Sequence, residues 1–149
     1  MMLWPFKKRH LSKDQEKAVV EAIGRAEEGN LGEVRVHLEQ KCKHDEGALS
    51  RAREKFYELG MCGTDDATGV LLYVAVKDRV TAVYAGPGIH TCCAESFWQE
   101  VTDQVAEGFR DDSPAEGLVE AVDRIGELLR EHVPGEKEDN ELPDEVTMS

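Results

Sequence analysis

The sequence is short of positive charge: 18 lysines and arginines stand against 31 aspartates and glutamates, a formal net charge of -13. A nucleic-acid binder presents a basic face to phosphate, so nucleic acid is excluded as an expected partner. Anionic membrane surfaces are disfavoured for the same reason. Long apolar runs are missing too, none approaching the ~20 residues that span a bilayer. The opening stretch Met1-Met2-Leu3-Trp4-Pro5-Phe6-Lys7-Lys8-Arg9 has its basic cluster after a very short apolar segment. An export signal has those parts in the reverse order, with a longer apolar core. The stretch is also too short for firm membrane anchoring. The expected location is therefore the cytoplasm.

Cysteine is sparse, with Cys42, Cys62, Cys92 and Cys93 and no C-x-x-C pair. Without an export signal these thiols are expected to be reduced, and the zinc-ribbon and dithiol-redox patterns are absent. No G-x-x-x-x-G-K-[ST] phosphate loop occurs. The arginine that would complete a phosphate-cradling thiol loop after Cys92 or Cys93 is missing, and Thr64-Asp65-Asp66-Ala67-Thr68 precedes a strand where an aspartyl-phosphate motif follows one.

What is present fits one domain: 149 residues, 40% of them hydrophobic, enough to bury a sizeable core. Ser12 with Gln15 three residues later forms a capping box, and Ala18, Val19, Ala22, Ile23 and Ala26 recur at helical spacing over 13–28. Gly29-Asn30 stops that helix. Val34, Val36 and Leu38 alternate with Arg35, His37 and Glu39, which predicts a strand with one wet face at a sheet edge. Helical spacing returns over 45–59. The unbroken apolar run Val70 to Val76 predicts a central strand buried on both faces. Lys77-Asp78-Arg79 turns the chain into a hairpin strand, Val80 to Ala85, which Gly86-Pro87-Gly88 ends. Apolar periodicity then predicts helices over 94–109 and 115–131, separated by Asp111-Asp112-Ser113-Pro114 as a capping segment. Phe97 and Trp98 are assigned to the core. His10, His37, His44 and His132 stand alone and are expected on the solvated surface. Past Pro134 apolar density collapses, so 135–149 is expected to be an acidic mobile tail and 1–11 an N-terminal extension around a domain of 12–134. The element order is αβαββαα. A right-handed β-α-β crossover makes the first two strands parallel, and the hairpin adds an antiparallel third.

Read in order, several stretches resemble the TPM domain family. They are Ala26-Glu27 with Gly32-Glu33-Val34-Arg35-Val36, Ala52 to Phe56-Tyr57-Glu58-Leu59-Gly60-Met61, Thr64, and Gly69-Val70-Leu71-Leu72-Tyr73-Val74. Gly86-Pro87-Gly88-Ile89, Phe97-Trp98, Phe109, Gly117-Leu118 and Ile125-Gly126 through Leu129 continue the match. Asn140-Glu141-Leu142-Pro143 is similar to a tail element of the family's short, unexported branch. Members of this family include a thylakoid-lumen phosphatase-like protein of photosystem II repair, as well as modulators and assembly factors. The resemblance covers about 12–146 and implies an α/β/α sandwich of three layers with a small mixed sheet. It also implies either a binding or regulatory module, with a protein partner, or a phosphatase. The aspartate that family members often carry near the glycine turn is replaced here by Gly86, Pro87 and Gly88.

The topology makes one statement about chemistry. The loops before the first two strands, 27–33 and 60–69, lie at one end of the sheet, and the reversed third strand brings Gly86-Pro87-Gly88 to the same end. Glu27, Glu28, Glu33, Thr64, Asp65 and Asp66 are expected to meet there. Hard oxygen donors on flexible loops suit Ca²⁺ or Mg²⁺, and Gly86 and Gly88 allow backbone to approach a ligand. Supported by the resemblance, Glu27, Glu33, Thr64, Asp65 and Asp66 are the expected metal ligands, and divalent cations the expected partners. The simpler reading makes Glu33 a solvated strand entry and Asp65-Asp66 an Asx turn. A softer set, Cys62, His90, Cys92 and Cys93, flanks the same end but has poor spacing for zinc. No catalytic residue is assigned. If the cation served a phosphatase, Asp65 or Asp66 would hold it and Glu33 would take the proton, the substrate being a small phosphomonoester.

Overall fold

Ser12 opens the first helix as anticipated: its side chain accepts from the Gln15 amide at 3.1 Å, and the Gln15 side chain accepts from the Ser12 amide at 2.8 Å. From there the chain runs α1 (Lys13–Glu27), β1 (Glu33–Glu39), α2 (Ala48–Glu58), β2 (Gly69–Ala75) and β3 (Val80–Ala85). A one-turn helix α3 (Pro87–His90), then α4 (Glu95–Arg110), α5 (Pro114–His132) and a last strand β4 (Val146–Met148) complete it. The structure, a computed structural model, describes residues 10–63, 68–137 and 144–149.

The sheet has the order β3-β2-β1-β4. β1 and β2 are parallel, Glu33 opposite Gly69 and Glu39 opposite Ala75, while β3 returns antiparallel to β2. Alternation divides the two faces. Val34, Val36 and Leu38 join Val70, Leu72, Val74 and Val146 in the main core, under α1, α4 and α5. Tyr73, Ala75 and Ala82 face α2, as does Leu71 against Phe56 and Met61. The result is three layers of helix, mixed sheet and helix, as expected.

Two expectations fail together. β1 is not an edge strand with a wet face: all seven of its residues are buried. The reason is β4, which pairs parallel to β1 with Val36 opposite Val146 and Leu38 opposite Met148. The expected mobile tail of 135–149 is thus corrected at its end: three strand residues among acidic neighbours give no periodic signal. The beginning of the same segment is also docked: Pro134 bridges to Asn30, and the Lys137 ammonium donates to the Glu27 and Asn30 carbonyls at 3.1 and 2.9 Å.

Three polar residues of β1, Arg35, His37 and Glu39, meet polar partners where they are buried. Glu39 accepts from Arg51 Nε at 2.8 Å and Nη2 at 3.0 Å, from the Tyr73 hydroxyl, and from Ser149 Oγ at 3.0 Å. His37, expected on the surface, is 2% exposed. Its ring nitrogens meet Thr147 Oγ1 at 2.7 Å and Ser149 Oγ at 2.8 Å. Arg35 pairs with Glu145. The alternating polar row therefore faces other polar side chains inside the protein.

Candidate acidic site at one end of the sheet

The three segments meet as the topology requires. The Glu33 amide donates to the Thr68 carbonyl at 3.3 Å and the Gly86 amide to the Gly69 carbonyl at 2.8 Å. Thr68 Oγ1 donates to the Leu31 carbonyl at 3.0 Å, tying the two loops together from the side. Asn30 shapes the first of them: its amide nitrogen donates to the Ala26 carbonyl at 2.7 Å and its oxygen accepts from the Gly32 amide at 2.9 Å. Asn30 is buried, and it sets the path from α1 into β1.

Of the expected ligands, the structure places Glu27, Glu33, Gly86 and Gly88 at this end; Thr64, Asp65 and Asp66 lie outside the described residues. Glu33 is fully buried, which corrects its reading as a solvated strand entry. Glu27 Oε2 accepts from the Val34 amide at 2.7 Å. Gly86 is buried and Gly88 exposed. Sequence reasoning missed Asp144, which shares a hydrogen bond with Glu27. The β1–β4 register, Val36 opposite Val146, carries Asp144 to the level of Val34. The neighbouring Asn140 to Pro143, marked by the resemblance, was the one available signal for it.

Electrostatically this is a crowded place. Burial foremost, then the hydrogen bond with Asp144 and the nearby Glu33 and Asp144 charges, raise the Glu27 pKa to about 9, against the opposing Val34 amide. Like charges close together in a poorly solvated site disfavour ionisation. Among the described residues the buried Asp144 Oδ1 has no hydrogen-bond partner. These are hard carboxylate oxygens, the donor type that Ca²⁺ and Mg²⁺ take. Among the described residues, however, no group of three or more His, Cys, Asp and Glu side chains is arranged to hold a metal. That includes the soft set: Cys62 and His90 are exposed, Cys92 and Cys93 half-buried.

The family model of the TPM domain matches residues 7–128. The chain belongs to the TPM domain family. Its fold is similar to the NMR structure of the BA42 protein from the psychrophilic bacterium Bizionia argentinensis, 34% identical, with a TM-score of 0.84 over 95% of this chain and 97% of that one. The N-terminal domain of the cg2496 protein from Corynebacterium glutamicum shares the fold alone, at 8% identity and a TM-score of 0.63 over 89% of this chain and 82% of that one. A comparison with curated protein sequences gave no match. Among the described residues of this TPM domain no helix is long and apolar enough to cross a membrane.

Proposed function

We propose that this TPM domain binds Ca²⁺ or Mg²⁺ at the end of the sheet where Glu27 and Glu33 meet, and acts as a binding or regulatory module. The observation that carries the reading is the burial of Glu33 close to the half-buried Glu27 and Asp144; the sequence supplies Thr64, Asp65 and Asp66 in the segment before β2. A cation would offset the crowding of like charge that burial makes costly. In this reading Glu27, Glu33 and Asp144 supply part of the ligand set, and Thr64, Asp65 and Asp66 complete it. Gly86 and Gly88 let the backbone of the third segment come close.

An NMR amide titration with Ca²⁺ and Mg²⁺ tests the proposal. Saturable shifts are expected in 27–33, 60–69 and 86–90. Glu33→Gln and the pair Asp65→Ala with Asp66→Ala should each abolish them while the fold survives. Cys62→Ser with Cys93→Ser should change nothing; loss of binding in that variant alone would move the site to soft ligands. Saturable shifts at 110–114 with silence at 60–69 would refute the assignment. Assaying the metal-loaded chain on a small phosphomonoester decides the alternative, a metal-dependent phosphatase, which requires turnover that Glu33→Gln eliminates.

A further inference from the structure

At the other end of the sheet, between the β2–β3 hairpin and the last turns of α4, lies a cavity of about 430 Å³. Its floor is apolar, made by Val74, Val76, Val105 and Phe109. Its rim carries two exposed guanidinium groups, Arg79 and Arg110. This volume lies in the range of small-molecule sites, ~300–1,000 Å³.

The arginines are the unusual feature. Elsewhere in this acidic chain Arg25, Arg35, Arg51 and Arg124 each pair with a carboxylate, Arg53 lies over the Tyr57 ring and Arg130 donates to the Arg25 carbonyl. Neither the Arg79 nor the Arg110 guanidinium has an ion pair or hydrogen bond among the described residues. The adjacent carboxylates do not serve them: Asp78 accepts from the Cys42 amide at 2.7 Å, and Asp111 and Asp112 pair with neither guanidinium. Arg110 sits in the last turn of α4, where a cation is favoured by the helix dipole. No such gain applies to Arg79, which occupies a left-handed conformation, φ 57, that suits glycine or asparagine better.

We infer that this cavity binds a small aliphatic carboxylate, its chain on the valine and phenylalanine floor and its carboxylate between Arg79 and Arg110. Guanidinium groups match a carboxylate in charge and fork geometry. A metal cation is repelled by the same pair. A peptide would bring amide groups that the apolar walls leave without partners, at a desolvation cost an alkyl chain avoids.

An NMR amide titration of the full chain with sodium decanoate, below its micelle concentration, tests this. Saturable shifts are expected over 74–81 and 105–110, with 27–33 and 86–90 unmoved. Decan-1-ol, which keeps the chain and drops the charge, should bind about tenfold more weakly, as should decanoate to the Arg79→Gln, Arg110→Gln double variant. Ala106→Trp, at the cavity wall, should block binding with both guanidinium groups intact. Each variant's amide dispersion reports whether it is folded. The inference fails if decanoate gives no saturable shift or if decanol binds as well as decanoate. It fails equally if the double variant binds unchanged, or if an apolar peptide with a free carboxylate shifts these amides where decanoate does not.

Discussion

Glu39 and Arg51 form the most consequential contact between single residues. The Glu39 side chain is 1% exposed and that of Arg51 10%. Burial pushes the Glu39 carboxyl up, but hydrogen bonds from Arg51, Tyr73 and Ser149 outweigh it and hold the pKa at about 2. Removing the guanidinium leaves a charge with its desolvation uncompensated. Arg51→Leu should therefore cost about 3–5 kcal/mol, read as a fall in the urea midpoint with little change in slope. A loss below about 1 kcal/mol, the worth of an exposed pair, would mean that solvent reaches Glu39. His37 gives a pH dependence of defined sign. Burial foremost, with the Lys55 charge, lowers its pKa to about 4 from the usual 6.5, against the opposing Glu39. Between those values the unfolded chain takes up a proton that the native ring refuses, so this contribution to stability falls as the pH falls through that window. Glu27, raised to about 9, works in the opposite sense above its ordinary range. The diagnostic is thus the difference between the wild type and His37→Gln. That difference should change steadily from pH ~6.5 to ~4 and be flat above it; a pH-independent difference would contradict a neutral buried ring.

Helices α4 and α5 pack backbone to backbone, and glycine makes this possible. A Cβ on Gly108 would lie 2.8 Å from the Gly117 Cα and 2.9 Å from the Ser113 carbonyl oxygen. In an open helix Gly→Ala stabilises by ~1 kcal/mol. Here the backbones cannot part without opening the core beneath α5, so Gly108→Ala should reverse that sign and destabilise by ~1–3 kcal/mol, the range of overpacked cores. Thermal unfolding checks it; a rise in midpoint would show that the two helices separate freely. The same scale explains the misreading of β1. Alternation of Val34, Val36 and Leu38 with polar residues correctly identifies a strand and its apolar face. It carries no information about what covers the other face, because a pleat looks the same whether water or Thr147 and Ser149 stands opposite.

Over the whole molecule, the sheet separates two ends of different character. One gathers Glu27, Glu33 and Asp144; the other carries Arg79 and Arg110 with no carboxylate partner among the described residues. Under the proposed function, Ca²⁺ at ~100 times its dissociation constant should stabilise the fold by ~2.7 kcal/mol, a gain that Glu33→Gln removes. Arg79→Gln should leave this gain intact, because the hairpin lies at the other end of β2. Equal loss of the gain in both variants would show that Ca²⁺ acts through net charge and not through a site.

The sequence by itself determined the seven principal elements, the parallel β1–β2 pair, the hairpin and the convergence of 27–33, the entry to β2 at Thr68-Gly69, and 86–88. These follow from local periodicity, capping and the handedness of a crossover, all of which act within a few tens of residues. Tertiary structure alone decided that Val146–Met148 would close the sheet, bury His37 and Glu39 and bring Asp144 to Glu27. Those outcomes depend on pairings across more than a hundred residues, where a three-residue strand gains its stability only from the partner it meets.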